Sequence, residues 1–119
     1  MLIIDLSKCN EFTAGDGSVL RELVHPDKQK LALRYSLAHA VIKPGYESKP
    51  HMLKTSEVYY ILEGKGMMFI NDASKEVFSG QAVYIPPGSK QYIKNIGNRD
   101  LKFLCIVDPA WKKEDEIVF

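Results

Sequence analysis

Four side chains near the middle of this 119-residue chain have types and spacings that could act together: His51, Glu57, Tyr59 and Gln91. An imidazole and a carboxylate can ligate a transition metal or trade a proton, and a phenol and an amide can orient a polar ligand. Residues two apart on a strand face the same side. His51 therefore points with Leu53, and Glu57 points with Tyr59. If the segment bearing Gln91 crosses the same interior, His51, Glu57 and Gln91 converge on one spot. His51 and Glu57 are also the candidate catalytic residues, and Tyr59, Gln91 and Met68 the candidate ligand contacts. A carboxylate inside an apolar barrel is costly unless it is paired. Without a metal, His51 is the expected partner of Glu57, and such a pair can do general acid–base work or satisfy only itself.

The elements that must position these residues read as strands. Candidates are Met1 to Leu6, Val19 to Val24, Leu31 to Lys43, Val58 to Leu62, Met67 to Ile70, Val77-Phe78, Ala82 to Ile85, Gln91 to Ile96 and Leu101 to Val107. Between them lie turn signals: Thr13-Ala14-Gly15-Asp16-Gly17, Pro44-Gly45, Gly64 and Gly66, Asn71-Asp72, Pro86-Pro87-Gly88 and Gly97-Asn98. Many short strands separated by turns are the pattern of an all-β sandwich or barrel. A helical period is absent until the tail, where Pro109 to Glu116 reads as one turn of helix whose acidic cluster Glu114-Asp115-Glu116 is a solvated end.

Parity sorts the remaining reactive side chains. His39 shares a face with Lys43 and is expected outside the barrel, at a surface or interface. Lys102 faces out, so Phe103, Cys105 and Val107 face in, with Cys105 a packing residue. His25, beside Pro26, reads as an exposed loop residue. Tyr59-Tyr60-Ile61-Leu62 and Met67-Met68-Phe69-Ile70 are apolar on both faces. Their outer face calls for a cover, either the chain's own N-terminal strand or a second subunit, and a chain this short favours a homodimer.

Bulk properties exclude several classes. The formal net charge is +1, with 16 basic and 15 acidic residues, so nothing suggests nucleic acid or an anionic membrane as partner. No apolar run approaches the about 18 residues of a membrane span. The first residues lack the pattern of a signal peptide. Two cysteines, Cys9 and Cys105, do not make a disulfide framework, and a reduced, cytoplasmic protein is expected. Residues 1–119 suit one domain, with a barrel core over about 31–107, N-terminal strands in 1–30 and a tail at 108–119.

Two blocks carry a family resemblance. The first holds Gly45, His51, Leu53, Glu57 and Gly64; the second holds Gly80, Pro86, Gly88, Gln91 and Asn95. Their order and spacing resemble the two motifs of the cupin superfamily. The resemblance implies a double-stranded β-helix, or jelly-roll barrel, that often holds one metal ion. By the same resemblance, His51 and Glu57 occupy ligand positions, while Leu53 and Gln91 stand where the family usually has histidines. The implied site is degenerate: a divalent Fe, Mn, Ni or Zn ion held weakly by His51, Glu57 and Gln91, or none. The tail Asp108-Pro109-Ala110-Trp111 resembles the closing segment of a subset of small cupins, some loosely similar to type II phosphomannose isomerases, with Trp111 capping the barrel mouth or anchoring a dimer. Three functions fit. One is a metal-assisted isomerase or dioxygenase acting on a small polar molecule. A second is a non-catalytic sugar- or metabolite-binding module, and the third a metal-free acid–base isomerase or epimerase using His51 and Glu57, with Tyr59 as a further candidate.

Overall fold

Alternating strands and tight turns fold this chain into two facing antiparallel sheets. The computed structural model describes residues 1–119. The strands are β1 (Phe12–Thr13), β2 (Val19–Val24), β3 (Ser36–Ile42), β4 (His51–Leu53), β5 (Ser56–Glu63), β6 (Lys65–Ile70), β7 (Ala73–Phe78), β8 (Ala82–Ile85), β9 (Lys90–Asn95), β10 (Leu101–Asp108) and β11 (Glu116–Val118). One sheet has the order β1-β2-β3-β10-β5-β8, the other β11-β4-β9-β6-β7. The fold is the all-β jelly roll that the motif blocks imply.

The inner faces of both sheets build the core. Ala40 and Ile42 of β3, Tyr59 and Ile61 of β5, and Leu101, Phe103 and Cys105 of β10 pack against Met68 of β6, Val77 of β7 and Ile93 of β9. β10 follows its parity without a break, its odd-numbered residues buried and its even-numbered ones half-buried. Cys105 accordingly faces in, and burial, followed by the nearby Glu57 and Asp16 carboxylates, raises its thiol pKa well above the ordinary value. A thiol held neutral in this way is a packing group.

Polar motif residues tie the strands at their ends. The Asn95 amide donates to the carbonyls of Ile42 and Arg99, both at 2.8 Å, while its oxygen accepts from Gly97 N–H at 2.9 Å. Gly64 turns β5 into β6 at φ +88°, where an added Cβ would lie 2.7 Å from the Asp100 carbonyl oxygen. That position needs glycine for two reasons, the left-handed backbone and the contact.

Several expectations need correction at the termini. Met1 to Leu6 forms no strand; the segment runs as coil into a single 3₁₀ turn at Leu6–Lys8, because it reaches no strand edge that could supply hydrogen bonds. It still covers part of the outer face, since Leu6 shares a shallow depression of about 260 Å³ with Arg21, His39, Val41 and Lys102. His39 is on the outer face as parity requires, yet it is only 8% exposed. Its pKa is lowered by burial, then by Lys102 and Arg21. His25 is not an exposed loop residue. It caps the short helix α1 (Pro26–Gln29), with Nδ1 accepting from Asp27 N–H at 3.2 Å and Nε2 lying 2.8 Å from the Trp111 carbonyl oxygen. The tail forms a 3₁₀ turn at Lys113–Asp115 and then adds β11 alongside β4, with Val118 opposite His51.

Gly64→Ala is expected to cost about 1–3 kcal/mol of unfolding free energy in urea titrations. Gly45→Ala, at φ +81° with open space around it, bears only the backbone part. Equal losses at the two positions would show that the approach to Asp100 contributes nothing.

Candidate functional site

The barrel is filled at one end and hollow at the other. Ile61, Ile93 and Leu101 are fully buried at the filled end. At the other, a cavity of about 280 Å³ is bordered by His51, Leu53, Glu57, Tyr59 and Cys105 from the motif blocks and β10. The remaining wall comes from the ends of the chain. Asp16 and Ser18 in the loop before β2, Glu22 on β2, and Trp111 and Glu116 around β11 all line it. Phe119 N–H bonds the Pro50 carbonyl and Lys54 N–H the Asp115 carbonyl, both at 2.9 Å, so the tail is stitched to the rim around β4.

Local geometry fixes each side chain. β4 pairs β9 with His51 opposite Gln91, and β10 pairs β5 with Val107 opposite Glu57. The His51 ring has Nδ1 2.8 Å from the Lys49 carbonyl oxygen. A carbonyl can only accept, so Nδ1 carries a proton and Nε2 is left facing Asp16 Oδ2 at 3.7 Å. Asp16 is itself held by Ser18, whose N–H and hydroxyl donate to Oδ1 at 3.0 and 2.6 Å. Tyr59 donates to Gln91 Oε1 at 3.2 Å and packs its ring on Phe103 with centroids 4.5 Å apart.

Glu57 is a buried carboxyl that the barrel leaves incompletely satisfied. It is 6% exposed, and its Oε1 has no hydrogen-bond partner. Burial pushes its pKa up to about 8; the Gln91 side chain works against that by hydrogen bonding, while the Asp16 and Glu116 carboxylates add to it. Burial likewise raises the Tyr59 hydroxyl well above its ordinary value, helped by Glu57. At neutral pH the barrel therefore holds a protonated carboxyl beside a neutral phenol. No hydrogen bond joins His51 to Glu57, which corrects the pairing expected from sequence. β4 aims the imidazole at Asp16, and the Gln91 amide takes its place beside Glu57.

The candidate residues separate accordingly. His51, Glu57 and Tyr59 line one cavity, and Gln91, 1% exposed, stands behind them holding Tyr59 and Glu57. Met68 does not reach that cavity. It sits opposite Ile93 at the filled end and borders a different depression, between β6–β7 and β8. Asp16, Glu22 and Glu116 are additions that sequence reading missed. Asp16 reads as an ordinary turn residue and Glu116 as part of a solvated acidic cluster. Glu22 alone had a signal, since it alternates in phase with Leu20. Trp111 caps the mouth, its Nε1 donating to Glu116 Oε2 at 3.0 Å.

The donors present do not fit a transition metal. No group of three or more His, Cys, Asp or Glu side chains comes together closely enough to hold an ion. Leu53, 3% exposed, occupies its ligand position with hydrocarbon. The Gln91 oxygen is engaged by Tyr59. One imidazole is a poor set for ions that take three or four nitrogen or carboxylate donors.

Comparison with known proteins agrees with the architecture. Residues 38–107 match the Cupin_2 family, described as a cupin domain. An uncharacterized protein of Methanocaldococcus jannaschii is 41% identical over 112 residues, covering 93% of this chain and 89% of that protein. An oxalate-binding protein of Thermotoga maritima is 35% identical over 51 residues, 43% of this chain and 42% of that one. Among solved structures, a predicted oxalate decarboxylase from Thermotoga maritima superposes with a TM-score of 0.77 at 23% identity, covering 91% of this chain and 99% of that one. Bacillus subtilis oxalate decarboxylase gives a TM-score of 0.81 at 21% identity, and this chain spans 30% of its length. The shared architecture is the jelly-roll barrel, and the chain belongs to the cupin superfamily as a Cupin_2 barrel domain.

The raised Glu57 pKa has a consequence for stability. Between pH about 4.5 and about 8 the folded protein keeps a proton that the unfolded chain has released. Folding takes up that proton, so this contribution falls as pH rises through the window, by at most about 1.4 kcal/mol per pH unit, and levels off above it. Glu57→Gln should flatten that part of the pH profile in urea-unfolding measurements. A variant profile parallel to wild type would assign the slope to other groups.

Proposed function

We propose that this cupin binds a small polar molecule in the hollow end of its barrel and does so without a resident transition metal. The unpartnered, buried Glu57 Oε1 bordering an enclosed cavity carries this reading. A polar atom left alone in an apolar interior is costly, and a ligand that hydrogen-bonds it recovers that cost. Cavities of this kind, mostly apolar with a few convergent polar groups, are the usual form of a small-molecule site. In the bound state His51 Nε2 and Glu57 face the ligand, the Gln91 amide supports Glu57 from behind, and Trp111 excludes water at the mouth.

A second reading, proton-transfer isomerisation, is favoured by the placement of an imidazole nitrogen and a buried carboxyl on one cavity. His51 Nε2 is the base-competent nitrogen and the protonated Glu57 carboxyl is the acid, so a substrate between them can lose a proton at one atom and gain one at another. Dioxygenase chemistry finds no support in the donor set.

The outer face of the β3-β10-β5-β8 sheet supports a homodimer. Tyr60, Leu62 and Tyr84 are 41%, 38% and 62% exposed. They lie beside Leu104, Ile106 and Val58, since Tyr60 is opposite Leu104 and Val58 is opposite both Ile106 and Tyr84. A continuous apolar sheet face of this kind calls for a cover.

Metal analysis of protein purified without chelator tests the main reading. Less than about 0.1 equivalent of iron, manganese, nickel or zinc is expected, and stoichiometric metal lost in His51→Ala would overturn it. Sedimentation tests the dimer: wild type is expected to sediment as a dimer and Tyr84→Glu as a folded monomer, while a monomeric wild type contradicts the assignment.

A further inference from the structure

The cavity wall has an unusual charge balance. Asp16, Glu22, Glu57 and Glu116 all line it, and none of its 18 lining residues is Lys or Arg. Several side-chain hydrogen-bond donors nearby are already engaged. Tyr59 O–H serves Gln91, Ser18 O–H serves Asp16, His51 Nδ1–H serves the Lys49 carbonyl and Trp111 Nε1–H serves Glu116. Carboxyl groups dominate the charged side chains of the wall, and one of their oxygens, Glu57 Oε1 on a residue 94% buried, has no partner at all. Phe12, Phe103 and Trp111 add aromatic rings to the apolar part of the wall.

An anion such as a dicarboxylate meets like charge in this cavity and no cation to offset it. A ligand that brings donors and positive charge meets the reverse. Its charge is attracted by carboxylates in a partly desolvated space, where Coulomb forces are strong, and its carbon skeleton lies on ring faces that attract cations. We propose that the cavity takes a small organic ammonium ion, with its nitrogen donating to Glu57 Oε1 on the side of the cavity that Asp16 and Glu116 border and its alkyl part against Phe12, Phe103 and Trp111. This rests on the barrel cavity being the ligand site. It also separates this chain from the oxalate named for its relatives, because Asp16, Glu22, Trp111 and Glu116 all come from outside the family-matched segment 38–107.

The test uses three probes of matched shape: n-butylammonium chloride, n-butanol and sodium butyrate. Each is titrated into the full chain at low ionic strength, with amide chemical shifts of residues around the cavity as readout. The ammonium is expected to bind roughly tenfold or more tightly than the alcohol, with butyrate weakest. Glu116→Gln and Asp16→Asn should each weaken n-butylammonium by roughly five- to tenfold and leave n-butanol unchanged. Glu11→Gln, outside the cavity, should change neither. Glu116→Gln carries the test alone if Asp16→Asn does not fold. Butyrate or n-butanol binding in the cavity as tightly as the ammonium overturns the charge inference while keeping the cavity as a ligand site. Failure of all three to shift cavity residues overturns the ligand-site reading and the inference with it.

Discussion

The hollow end of this barrel depends on one unfavourable fact, a carboxyl group buried beside hydrocarbon without a cation. Glu57 starts β5 on the inner face, between Val107 of β10 and Ile85 of β8. Charge there is opposed by burial and by two neighbouring carboxylates, so the group resolves the conflict by holding its proton. The surroundings fit a neutral acid. Gln91 approaches with a neutral amide, Leu53 with hydrocarbon and Tyr59 with a phenol, and the only imidazole nearby is turned toward Asp16. Had Leu53 and Gln91 been imidazoles, an ion among them would have stabilised the ionised form instead. The two departures from the cupin motif and the raised pKa are one effect seen from two sides.

The site has two origins within the chain. Its floor comes from the motif blocks, whose glycines, prolines and Asn95 close the turns that align β4, β5 and β9. Its rim comes from the flanks, where the loop before β2 and the tail through β11 meet over β4. Asp16, Glu22, Trp111 and Glu116 belong to the rim. A barrel scaffold can therefore keep its shape across distant relatives while its flanks decide what enters. At 20–23% identity the superposed barrels share the fold and nothing more specific.

Much of this was legible in the sequence because period-two alternation and glycine spacing are local signals. β8 falls where Ala82 to Ile85 predicts it, and β10 follows the parity set by Lys102. His51, Glu57 and Tyr59 converge as their spacing requires. What was not legible depends on contacts distant in sequence. β11 is too short to show a period and exists because β4 offers it an edge. Asp16 looks like any turn residue until the tail packs against its loop. His25 looks exposed until the Trp111 carbonyl arrives. Met68 has the right parity but the wrong depth along the barrel, and alternation specifies face rather than depth.

The direct measurement is the titration of the Glu57 carboxyl itself, followed by carbon NMR of side-chain carboxyls with Glu57→Gln to assign the resonance. A midpoint near 8 is the result expected of a buried carboxyl with no cation beside it. A midpoint in the ordinary glutamate range, about 4, would mean that a positive charge or open water reaches the group, and would contradict the account of a metal-poor, proton-holding barrel.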